Sequence, residues 1–166
     1  LATLVEQASE AIISIDLSGF IEHVNIAAAS LFDLSASKSI GQPLIEGLPQ
    51  DIQSAFLGNL GKMRIHLKRT SFEVSFLRNA KTVFVEMTMS PRYNSTQSLA
   101  GISIFARDIS DHRLEGERFK LAVEAAPNAM VMVSPEGDIV LHNSKAEELF
   151  GYTNTELNGG SIDTLV

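Results

Sequence analysis

The 166-residue sequence predicts an α+β fold: a five-stranded antiparallel sheet with helices on one face, then a helical linker and a partial second copy of the same unit. Three observations predict it. Two short strand-like runs precede a helical stretch, and three more follow it. The later runs alternate apolar and polar residues, as antiparallel strands with one buried face do. The segment from Val5 to Gly41 then recurs 118 positions further on, from Val123 to Gly159.

The first unit reads in order. Leu1, Leu4, Val5 and Ala8 fall at helical spacing and predict a short helix over residues 1–9. Ala11 to Ile15 is rich in β-branched residues and predicts a strand. Asp16-Leu17-Ser18-Gly19 supplies the turn chemistry of a hairpin, and Phe20 to Val24 returns. Asn25 leads into a short helix on which Ala28, Leu31 and Phe32 share a face; a polar segment, Ser35 to Ser39, follows and ends at Gly41. From Asp51 to about Leu67, an apolar stripe of Ile52, Phe56, Leu57, Leu60, Met63 and Leu67 predicts the longest helix. Asp51 suits its N-terminus by capping or by charge. Gly58 and Gly61 each weaken it by about 1 kcal/mol relative to Ala, which makes Gly61 the place to expect a break. Phe72, Val74 and Phe76, then Val83, Val85, Met87 and Met89, then Ala100, Ile102, Ile104 and Ala106 mark three alternating strands. Arg78-Asn79-Ala80-Lys81 turns between the first two.

The repeat organises the rest. Ala11, Gly19, Ile21, Asn25, Ala28, Leu31, Phe32 and Gly41 recur as Ala129, Gly137, Ile139, Asn143, Ala146, Leu149, Phe150 and Gly159 without a gap. The second copy stops before the counterparts of residues 49–107, so its apolar face has no partner sheet and should be marginal. The domains are therefore expected at 1–110 and 122–166, with a helical linker over 111–121. Both ends of the chain read as cut from something longer.

A net charge of −7 argues against nucleic acid, because phosphate binding needs clustered Lys and Arg. The basic stretch from Lys62 to Arg69 reads as a solvated helix face, with no aromatic residues interleaved. No run of 18 apolar residues and no signal-peptide pattern occur, so the expectation is a cytoplasmic chain without membrane contact. The absence of cysteine removes disulfides, thiolate metal sites and cysteine chemistry. His23, His66, His112 and His142 have no metal-ligand spacing, and no catalytic constellation is present, so no enzyme and no metal site are expected.

Asp16 and Gly19 in a hairpin, Asn25 opening a helix that ends Leu31-Phe32, and Gly41 together resemble the first half of a PAS domain. Glu73 through Arg78-Asn79-Ala80-Lys81 to Pro91 resembles its second half, although the family often reads arginine, lysine, aspartate, glycine where Arg78-Asn79-Ala80-Lys81 stands here. Arg107-Asp108-Ile109-Ser110 is similar to the sequence that closes many PAS domains and starts a signalling helix. Ala126-Pro127-Asn128-Ala129, Pro135-Glu136-Gly137 and Asn143-Ser144-Lys145-Ala146 repeat the likeness more plainly.

The resemblance implies a small pocket between sheet and helices, in a sensor upstream of an output domain such as a histidine kinase or a diguanylate cyclase. Candidate wall residues are Asn25, Leu31, Phe32, Ile52, Phe56, Leu57, Leu60, Val85, Met87 and Ile104; the residues themselves read first as a filled core, with Met87 and Met89 as adaptable fillers. The cofactor stays unassigned. Flavin adducts and cinnamoyl chromophores need a cysteine that is absent. Haem members take a histidine near the start of the long helix, where Gln53 and Ser54 stand, while His66 lies at the far end. Non-covalent flavin has no supporting residues beyond Tyr93 and Tyr152. Leu114 and Leu121, seven apart, with Phe119 and Val123, suit a short coiled coil, so a homodimer through the linker and the N-terminal helix is expected. The function expected is a cytoplasmic sensory module that passes a ligand or redox signal through the linker, or alternatively a ligand-free interaction and dimerisation module.

Overall fold

The computed structural model describes residue 6 and residues 8–165; apart from Glu6, Ala8 and Ser9, the helix predicted over 1–9 lies outside the described residues. The chain divides into two units, residues 1–111 and 112–166.

In the first unit, strands β1 (Ala11–Ile15) and β2 (Ile21–Val24) form the expected hairpin. Its turn rests on Asp16, whose Oδ1 accepts the Ser18 and Phe20 N–H groups at 2.8 and 2.9 Å, and on Gly19 at φ 94°, a conformation that only glycine adopts freely. Helix α1 (Ile26–Phe32) follows, then two short helices, α2 (Ala36–Ser39) and α3 (Leu44–Gly47). Helix α4 runs unbroken from Gln50 to His66, so Gly61 is not a break: the two glycines lower propensity without interrupting the hydrogen-bond ladder. Asp51 sits inside its first turn rather than at the cap, which Pro49 occupies. Strands β3 (Thr70–Arg78), β4 (Lys81–Tyr93) and β5 (Leu99–Asp108) complete one antiparallel sheet in the order β2-β1-β5-β4-β3. The β3–β4 turn holds Asn79 and Ala80 at φ 51° and 60°. Alanine there costs roughly 1 kcal/mol that glycine would avoid.

The core lies on the helical side of the sheet. Ile13 and Ile15 of β1, Val85, Met87 and Met89 of β4, and Ile102 and Ile104 of β5 meet Phe32, Ile52, Phe56 and Met63 from the helices. The Phe32 and Phe76 rings close one end, 6.0 Å apart. On the opposite face polar residues pair across strands, as Ser71 and Thr88 do at 2.8 Å. There Arg92 reaches over Gly101 to bond Glu22. A Cβ at Gly101 would stand 2.4 Å from the Ile15 carbonyl oxygen and 2.7 Å from the Arg92 guanidinium. Gly101→Ala is therefore expected to destabilise the unit by about 2 kcal/mol through overpacking against backbone, read as a lowered denaturation midpoint.

Helix α5 (Ser110–Glu124) is longer than the predicted linker. In the second unit β6 (Val131–Val133) and β7 (Ile139–His142) form a hairpin, followed by α6 (Ser144–Phe150), α7 (Asn154–Leu157) and a 3-10 turn over Ile162–Leu165. It repeats the first unit closely. Gly137 takes φ 92° where Gly19 takes 94°, and Gly159 takes 79° where Gly41 takes 77°. The Ile21 and Ile139 N–H groups donate to the Gln42 and Gly160 carbonyls at 2.9 and 2.7 Å. At α7 the Thr153 N–H and hydroxyl donate to Glu156 and hold its carboxyl below the usual range.

Candidate functional site

Most of the predicted wall residues are packed solid. Ile52, Val85, Met87 and Ile104 are 0% exposed, and Phe32, Phe56, Leu60 and Leu31 are nearly so. They touch one another in a single cluster, a filled interior among the described residues.

Asn25 is also fully buried, and its side chain is spent on backbone. Oδ1 accepts the Ile12 and Ala28 N–H groups, and Nδ2 donates to the Glu10 carbonyl, each at 2.9 Å. One side chain thus caps α1 and ties it to the chain entering β1. Asn143 makes the same set to Met130, Ala146 and Asn128 in the second unit, and its Nδ2 also donates to the Val123 carbonyl.

One cleft borders α4 and another borders α1. Beside the Asp16–Gly19 turn, a cleft of ≈ 120 Å³ is lined by Ile15, Leu44, Phe56, Leu57 and Leu60, with Arg64 among its walls. Three predicted residues, Phe56, Leu57 and Leu60, meet there because the stripe on α4 faces the hairpin as well as the sheet. Leu57 is 52% exposed and forms part of the rim. Beside α1, Leu31 borders an open recess of ≈ 280 Å³ with Ser30, Arg78 and Asp108. The Arg78 Nη1 donates to the Ser30 and Leu31 carbonyls at 3.2 Å, at the end of α1.

A third feature joins sheet to helix. The Phe84 N–H of β4 donates to the Ser110 hydroxyl at 2.9 Å, and the Phe84 carbonyl accepts the Ile109 N–H at 2.8 Å. Asp108 Oδ1 accepts the Ser110 N–H at 2.9 Å. Strand β4 is thereby bonded to Ile109 and Ser110, where α5 begins. Arg64, Phe84 and Ser110 were not among the residues singled out by sequence. Only the Asp108-Ile109-Ser110 run carried a signal, and it pointed to the helix rather than to β4.

Among the described residues no group of three His, Asp or Glu could hold a metal ion, and no helix is long and apolar enough to cross a membrane. His23 is half-buried, 3.7 Å from Glu6; His66 is exposed; His142 is half-buried, 3.5 Å from Glu147.

Comparison with known proteins places this geometry. A model of the PAS fold matches residues 1–109, and a PAS domain model matches residues 117–166. Phytochrome B of Nicotiana tabacum is 24% identical over 174 aligned positions, covering 94% of this chain; the chain spans 15% of that relative's length. Two solved structures share the fold at 22% identity. The PAS domain of a Colwellia psychrerythraea protein has a TM-score of 0.57, covering 66% of this chain and 94% of its own. That of nitrogen regulation protein NR(II) from Vibrio parahaemolyticus has a TM-score of 0.51, covering 65% and 96%.

Proposed function

The chain belongs to the PAS family, and on that premise we propose that it is the sensory module of a signalling protein, moving a change in its first unit into helix α5. It works by transmission rather than catalysis, and its output domain, a kinase or a cyclic-dinucleotide enzyme, lies elsewhere in the same protein. The carrying observation is the double tie of Phe84 to Ile109 and Ser110. Displacing β4 beyond the reach of these bonds either carries the start of α5 with it or breaks them. The filled interior favours a small ligand or a repacking as the input over a large cofactor.

Helix α5 suits a weak, switchable dimer contact. Leu114, Phe119 and Leu121 are 47%, 51% and 69% exposed along it, while Gly116 interrupts its propensity. Coupling between sites of this sort is typically worth about 1–3 kcal/mol, so the interface it biases must be marginal. The same exposed residues, with the filled core, favour a second reading as a ligand-free dimerisation module.

A Cβ at Gly116 meets nothing within 4 Å, so Gly116→Leu fits and stiffens the helix by about 1 kcal/mol. Dimer affinity should tighten about fivefold, and output in the full-length protein should lose its response to the input. Native mass spectrometry reads the dimer. A variant with unchanged affinity and unchanged signalling would sink the helix path; a tighter dimer with signalling unchanged would leave only the second reading.

A further inference from the structure

The cleft beside the Asp16–Gly19 turn combines an apolar floor with one cation. Ile15, Leu44, Phe56 and Leu60 are buried core residues that stop short of filling it. Arg64 stands at its side, in the last turn of α4. Its Nη2 donates to the Leu17 carbonyl at 2.8 Å, and none of the ion pairs among the described residues includes it. A guanidinium carries five donors in a planar fork, so most of its capacity remains open, in the geometry that suits a carboxylate.

Size narrows the occupant. At ≈ 120 Å³ the cleft is well below the roughly 300 Å³ where drug-sized sites begin. A nucleotide or ring cofactor does not fit. A hydrocarbon chain of a few carbons does, and its charged end would then meet Arg64 at the rim.

We propose that this cleft binds a short-chain aliphatic carboxylate, its alkyl end against Phe56 and Leu60 and its carboxylate on Arg64. The inference rests on the sensory reading and names its ligand class. Binding engages the open donors of Arg64, which already holds the hairpin turn to α4 through the Leu17 carbonyl. The hairpin continues into β1, whose Ile15 pairs with Ile102 of β5, the strand that leads to α5.

The test is a titration of the isotope-labelled 166-residue chain with butyrate and with its neutral analogue butyramide, followed through backbone amide shifts. Butyrate should give saturable shifts at Leu17, Ser18, Gly19 and Leu60, with butyramide at least tenfold weaker. Arg64→Gln should weaken butyrate at least tenfold and leave butyramide unchanged, since a charge-assisted bond is lost and the apolar contact is kept. Leu57→Trp, at a half-exposed rim position, should block both while the melting temperature reports that the fold is intact. No saturable shift, equal binding of the two probes, or an Arg64→Gln variant that binds butyrate like wild type overturns the site. Saturable butyrate shifts confined to the cleft, with Ile109 and Ser110 unmoved, keep the site and overturn the sensory reading instead.

Discussion

Asn25→Ala is expected to destabilise the first unit by about 3 kcal/mol, which lowers its melting temperature by roughly 15 °C. The figure has three parts. The cap on α1 is lost, worth about 1 kcal/mol. The Ile12 N–H and the Glu10 carbonyl lose their partner, at about 1 kcal/mol for each part-buried bond. Domains of this size are stable by only about 5–15 kcal/mol, so the loss is a large share of the whole. Chemical denaturation of wild type and variant, followed in a signal from the first unit, measures it. A loss near 1 kcal/mol would mean that Asn25 is an ordinary helix cap and that the entry to β1 is held by other bonds.

That residue also marks the limit of what sequence discloses. Asn25 before an apolar helix reads as a cap from spacing alone, and the cap is there. Its bonds to Ile12 and Glu10 depend on how the hairpin brings residues 13 to 15 positions away beside it, which no local pattern encodes. The strands were legible because alternation is a direct imprint of one buried face, and the repeat because matching turn and packing positions recur in register. Helices α2 and α3 were not: at four residues each they are shorter than two turns and carry no period. The interior shows a different limit. Ile52, Val85, Met87 and Ile104 point inward as their periodicity says, but periodicity reports direction and not whether the space they face is filled. Arg64 escaped notice because a charged residue among Lys62, His66 and Lys68 reads as a solvated face, and its bond to Leu17 spans 47 residues.

The second large effect concerns the repeat itself. The Ile21 and Ile139 amides make equivalent hydrogen bonds in equivalent hairpins, so geometry alone would give them equal protection from solvent exchange. Their surroundings differ. Ile15, Leu31 and Phe32 are 0%, 8% and 4% exposed, whereas their counterparts Val133, Leu149 and Phe150 are 46%, 69% and 37% exposed. Each full burial of such a side chain is worth about 1.5–3 kcal/mol, so the partial exposure of three removes about 3 kcal/mol from the second unit. A two-stranded sheet adds little of its own. The Ile139 amide should therefore exchange at least a hundredfold faster than the Ile21 amide in the 166-residue chain under native conditions. The Asp16 and Ser134 amides, which donate at 2.9 and 2.8 Å to Phe20 and Asp138, should show the same inequality. Equal protection at both pairs would mean that the exposed apolar side chains of the second unit are covered in solution, by a second copy of the chain in the first instance. Repeating the exchange across a hundredfold range of protein concentration decides this, because cover by a second copy fades on dilution and cover from within the chain does not.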